Sequence, residues 1–97
     1  MTTYDRTMIL TLLEIDEFFF ATLEREAIVC CDIASESEPL YSERMLERAR
    51  VASTLVRDLE VNVEGAAIIV RLREDLATHR QLIERLLERL RSPETGA

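Results

Sequence analysis

The chain has 97 residues, 47% hydrophobic and 32% charged, with a net charge of −7, two Gly, two Pro and no Trp. That balance excludes a disordered chain, and so few turn formers favour long helices over sheets. A chain this short buries only about 60–65% of its unfolded surface, so its own core is modest and a second copy would help to cover apolar surface.

The longest uncharged run, Thr7 to Leu13, is followed at once by Glu14. A membrane span needs roughly 20 apolar residues, and a secretory leader ends in a small-residue cleavage site that is missing here. The expected location is the cytoplasm. All twelve basic residues are arginine, and the charge is unevenly placed. Residues 1–38 hold nine acids and two arginines, whereas residues 39–97 hold ten of each. Such a surface repels phosphate backbones and attracts basic partners, so nucleic acid is an unfavourable ligand.

Residues 1–6 read as a loose tail, and Met8-Ile9-Leu10 as a short strand. Thr11 and Glu14 have the spacing of a capping box, which predicts a helix to about Phe20. A break at Ala21 or Thr22 and a second short helix over Leu23 to Ala27 follow. The β-branched stretch Ile28 to Ile33 predicts a strand, returned by Leu40-Tyr41 after the loop-like segment Ala34 to Pro39. Cys30 and Cys31 are adjacent, about 3.8 Å apart at Cα, too close for an ordinary disulfide. They read as two small buried thiols, with a vicinal thiol sensor or soft-metal site as the alternative.

Ser42 caps a middle helix, on which Met45, Ala49, Ala52, Val56 and Leu59 recur at three- and four-residue steps, widened by Leu46 and Leu55. Glu43, Arg44, Glu47, Arg48, Arg50 and Arg57 fill its outer face. Asn62 starts a last helix from about Val63 to Arg91, about 43 Å long. Along it Ile69, Leu72, Leu76, His79, Ile83, Leu86 and Leu90 alternate steps of three and four, flanked by Leu82 and Leu87. This heptad seam predicts a homodimer, with parallel and antiparallel pairing both open. His79, the single histidine, reads as a residue that sets register or as a pH-sensitive pair across the dimer axis.

No catalytic constellation is legible. One histidine, two glycines and no nucleophile motif leave no means of building a metal cluster or a phosphate loop, so neither enzyme activity, metal nor cofactor is expected. Phe18-Phe19-Phe20 fan over about 200° of a helix, which one small core does not easily cover; they read as core residues, with one ring exposed as a contact anchor as the alternative.

The order of a short capped helix, a hairpin, Tyr41-Ser42, a middle helix and a long seam helix is similar to the MerR-like winged helix-turn-helix plan. Within that plan the chain resembles the chaperone-modulator (CbpM) family. The resemblance rests on Leu10-Thr11-Leu12-Leu13-Glu14, on Tyr41-Ser42, and above all on Leu55 to Ala67. That block matches the family's R-D-L-x-V-N-x-x-G-x-A stretch at Arg57, Asp58, Leu59, Val61, Asn62, Gly65 and Ala67. It covers about residues 8–91 and is most specific over 41–91.

The resemblance implies a mainly α protein, a degenerate winged helix-turn-helix without a glycine in its turn, followed by a long C-terminal dimerisation helix. The expected parts are an acidic head over 8–41, a middle helix over 42–60, a coiled-coil-like helix over 62–91 and a tail over 92–97. It also implies a dimer that binds the J-domain of a DnaJ-like (CbpA-type) co-chaperone and keeps it from its DnaK partner chaperone. Charge logic makes Asp16, Glu17, Glu24 and Glu26, with Phe19 as anchor, the candidate partner-binding residues. The competing expectation is a MerR-like DNA-binding regulator, which a basic patch of Arg44, Arg48, Arg50 and Arg57 would favour.

Overall fold

The structure, a computed structural model, describes residues 2–91, so the tail expected over 92–97 lies outside the described residues. In chain order the elements are β1 (Thr3–Tyr4), α1 (Arg6–Leu13), α2 (Glu17–Arg25), β2 (Tyr41–Ser42), α3 (Glu43–Arg57) and α4 (Val63–Arg91). The mainly helical class is as expected, and α3 and α4 start where Ser42 and Asn62 place them. The Ser42 hydroxyl accepts the Met45 N–H at 3.4 Å, and Asn62 Oδ1 accepts the Gly65 N–H at 2.7 Å.

The first forty residues differ from the sequence expectation in several places. Residues 1–6 are not a loose tail throughout, because Thr3 and Tyr4 pair antiparallel with Ser42 and Tyr41. Met8-Ile9-Leu10 is not a strand. Asp5 accepts the Met8 N–H at 2.8 Å and starts α1 at Arg6. Thr11 lies inside α1 rather than at its cap, and the expected helix over 11–20 is broken at Glu14. That residue ends α1 in the left-handed conformation, and Asp16 restarts the chain by accepting the Phe19 N–H at 2.8 Å. The second short helix expected over 23–27 is the end of α2. The strand expected over 28–33 reduces to one bridge between Ile33 and Leu40, and Tyr41 pairs with β1 instead. Leu59 falls beyond the end of α3 and is 63% exposed, so it does not extend that helix's apolar stripe.

Turns in a chain with two glycines are made by other residues. Glu14, Ala27 and Glu60 take positive φ of 55°, 61° and 57°. At the first two the helix closes with a bond spanning five residues, Ile15 N–H to Leu10 O at 3.1 Å and Ile28 N–H to Leu23 O at 2.9 Å. These are αL helix ends that glycine makes at lower cost.

Tyr41, Phe20, Ile9, Leu23, Ile28, Met45 and Val29 are the largest fully buried side chains, where α1, α2 and the segment after α2 pack on α3. Tyr41 meets Phe20 edge-on, with centroids 5.4 Å apart and planes at 88°. The block from Arg57 to Ala67 builds the α3–α4 corner. Arg57 Nη1 donates to the Leu13 and Glu14 carbonyls at 3.3 and 3.1 Å, so its charge closes the C-terminus of α1. Ala66, Ala67 and Val70 are buried, and their small size lets α4 approach α3. A Cβ on Gly65 would stand 3.0 Å from Asn62 Oδ1 and 3.1 Å from Val61 Cγ1, which explains glycine beside this cap.

The structure measures 57 × 36 × 19 Å, with a Cα radius of gyration of 17.4 Å. A compact chain of this length would have about 13 Å. The excess is α4, which runs on past its packing against α3.

Glu14→Gly and Ala27→Gly each relieve a left-handed residue and should stabilise the fold by about 0.5–1 kcal/mol. Urea unfolding checks this as a raised midpoint at unchanged slope. Arg57→Ala should cost about 1–2 kcal/mol, because it strips a charged donor from two carbonyls.

Candidate functional site

Two surfaces carry the residues singled out in the sequence, and the first is α4. Its N-terminal part packs on α3 through Ala66, Ala67 and Val70, and Glu74 reaches Arg44 at 3.0 Å and Arg48 at 3.7 Å. From Asp75 to Arg91 every residue is exposed. The seam residues Ile69 to Leu90 therefore lie together along one helix face, away from the α3 contact, with His79 in the middle. Nine of the thirteen exposed large hydrophobics among the described residues sit on this one helix. Single exposed leucines are ordinary, but a contiguous row of this kind marks an interaction surface.

The second surface is the acidic head, organised by a residue that sequence reading missed. Arg6, at the start of α1, forms an ion pair with Glu17 and another with Glu24 Oε1 at 2.9 Å. Its guanidinium stands 4.5 Å from the Phe20 ring centroid, and Nη1 is 3.5 Å from the Tyr41 hydroxyl. That hydroxyl donates to Glu24 Oε2 at 3.0 Å. Partial burial works against the charge on Arg6, but the hydrogen bonds and charges of the two carboxylates outweigh it and raise its pKa. Burial first, and then the neighbouring Glu24, push the Tyr41 hydroxyl up to about 12.

The candidate partner-binding residues accordingly have unequal roles. Asp16 is the cap of α2, while Glu17 and Glu24 are held by Arg6. Glu26 ends α2 with its side chain half-buried. Phe19, expected as the anchor, packs half-buried against the core, and Phe20 is fully buried. The exposed ring is Phe18, at 77%, beside Asp16 and Glu17 at the start of α2. The reason is helical phase. With α2 beginning at Glu17, Phe20 and Leu23 face inward three residues apart, and Phe18 turns away from them. The signal was Asp16 followed by Glu17 ahead of an apolar run, a cap that Thr11 concealed.

The arginines of α3 are drawn inward or neutralised. Arg44 and Arg48 meet Glu74, and Arg50 Nη2 meets Glu47 at 2.6 Å. Arg73 joins the same carboxylate at 3.4 Å. The Arg48 side chain is only 11% exposed, so it is not an outer-face charge as its position suggested. Hydrogen bonding to Arg50 holds the Glu47 carboxyl below the usual range. Arg57 is committed to the end of α1.

Cys30 and Cys31 are exposed and free, not buried as expected, because the chain around them is irregular rather than a strand. Among the described residues no group of three or more His, Cys, Asp and Glu side chains is arranged to hold a metal ion, and no helix is long and apolar enough to cross a membrane.

Tyr41→Phe removes a hydrogen bond to a carboxylate and should cost about 1–2 kcal/mol at neutral pH. The hydroxyl's raised pKa means that its contribution is complete below about pH 10 and is lost as pH rises toward 12. Denaturant titrations from pH 8 upward should show the wild type losing stability more steeply than Tyr41→Phe in that window. Comparison of the chain with family models, curated proteins and solved structures found no match.

Proposed function

We propose that this chain is a non-catalytic homodimeric modulator, paired through α4, whose acidic head binds a basic protein surface. The observation that carries this reading is the asymmetry of its charges. The first 38 residues hold nine acids against two arginines, and an exposed Phe18 stands among them, while the α3 arginines are spent on Glu74, Glu47 and the end of α1. An aromatic ring with carboxylates around it suits a helix that carries basic residues beside an apolar one. The ring supplies affinity and the charges supply on-rate and selectivity.

The resemblance to the chaperone-modulator family points to the J-domain of a DnaJ-like (CbpA-type) co-chaperone as the partner. Binding there would keep the co-chaperone from DnaK, in the cytoplasm. Two helices of eight and nine residues joined through Glu14, Ile15 and Asp16, followed by the loop that the Ile33–Leu40 bridge closes, support a degenerate winged helix-turn-helix. The same order favours a second reading, a MerR-like DNA-binding regulator. Against it stands the second helix, which opens with Asp16 and Glu17 where a recognition helix would enter the major groove of a polyanion.

The test is a pull-down with a J-domain co-chaperone at low and high salt. Asp16→Asn keeps the cap, because Asn caps as well as Asp, while removing the charge. It should weaken retention at low salt only, whereas Phe18→Ala should weaken it at both salts by about tenfold or more. No retention of the wild type at either salt would overturn the J-domain assignment, and salt-sensitive retention on DNA would favour the regulator. Ile83→Glu should convert the dimer to a monomer in sedimentation velocity, with the head still folded.

A further inference from the structure

We propose that the partner of the head is an amphipathic helix of mixed charge, which sets a basic residue against the start of α2 and a carboxylate against Arg25 at its end. This rests on the reading of the head as a protein-binding surface and names what that surface selects. The exposed face of α2 holds Phe18, Ala21, Thr22 and Arg25, whose helical spacing puts them on one stripe. Phe18 is 77% exposed, Ala21 and Thr22 are half-buried, and Arg25 is exposed. The Thr22 hydroxyl donates to the Phe18 carbonyl at 3.0 Å, and Arg25 Nη2 donates to the Thr22 oxygen at 3.4 Å. These bonds lay the guanidinium back along the stripe toward the ring.

The stripe changes sign along its length. Asp16 and Glu17 stand at its N-terminal end, and Arg25 lies about 10 Å further on at about 1.5 Å per residue. The first 38 residues hold only two arginines. Arg6 is taken up by Glu17 and Glu24, whereas Arg25 forms no ion pair among the described residues. A uniformly basic partner meets a like charge at Arg25, and that juxtaposition selects against it. A helix with Lys or Arg at one end of its face, leucine in the middle and Asp or Glu two turns from the cation complements carboxylates, ring and guanidinium together. Ala21 and Thr22 are small, so the leucine lies beside the Phe18 ring. The match needs only this spacing and holds for either direction of the partner helix.

Fluorescence anisotropy of the full chain with two helix-stabilised, alanine-based peptides tests this. One carries Lys, Leu and Glu a turn apart along one face, and the other has Gln in place of that Glu. The wild type should bind the first about threefold or more tighter at low salt, and Arg25→Gln should bind the two alike, a coupling that the double-mutant cycle isolates. Arg25→Lys, which keeps the charge, should retain the preference. Equal binding of both peptides by the wild type, or an Arg25→Gln variant that weakens both equally and keeps the preference, overturns the inference and leaves the acidic-head reading standing. Binding of neither peptide up to about millimolar concentration overturns that reading, and the inference with it.

Discussion

The length of α4 governs the rest of the molecule. A 29-residue helix cannot be covered by the roughly sixty residues that precede it, so its two ends meet different fates. Near its start, Ala66 and Ala67 let it close on α3, and Glu74 ties the two helices through Arg44 and Arg48. Beyond that point the same helix carries leucine and isoleucine at heptad spacing, and among the described residues no other element packs against them. Most helical stability in proteins comes from packing of an apolar face, and the described residues supply none to this part of α4.

The head obeys a different constraint. Nine acids in 38 residues repel one another, and the fold manages part of that repulsion with one arginine. Arg6 gathers Glu17 and Glu24 over the Phe20 ring and joins them to the buried Tyr41 hydroxyl. The network fixes α1, α2 and β2 to each other, and Phe18 and Asp16 stay exposed. Asp32 has a comparable task on the other side. Burial opposes its charge, but hydrogen bonds from the Ser42 hydroxyl and N–H, at 2.5 and 2.8 Å, prevail and hold its carboxyl below the usual range.

The second half of the chain was legible in the sequence because its signals are local. A stripe at three- and four-residue steps, Ser42 and Asn62 as caps, and an uninterrupted heptad seam determine α3 and α4 without reference to the rest. The first half was not, for equally physical reasons. The break at Glu14 has no glycine, and Thr11-x-x-Glu14 imitates a helix start where the chain in fact ends one. The strands are two residues long, too short to show any alternation. The β-branched run Ile28 to Ile33 has no partner strand along most of its length, and propensity without a partner makes no sheet. The seam residues could be named from spacing, whereas the choice of Phe18 over Phe19 required knowing that α2 starts at Glu17. The ties of Arg6 span up to 35 residues and have no local signature at all.

Hydrogen exchange of the intact protein, followed amide by amide over a range of concentrations, tests most directly whether α4 is covered by a second copy. Pairing through α4 predicts slow exchange for the amides of residues 75–91 at micromolar concentration, becoming faster on dilution while α3 stays protected. Rapid exchange of those amides at every concentration, with α3 protected throughout, would contradict it.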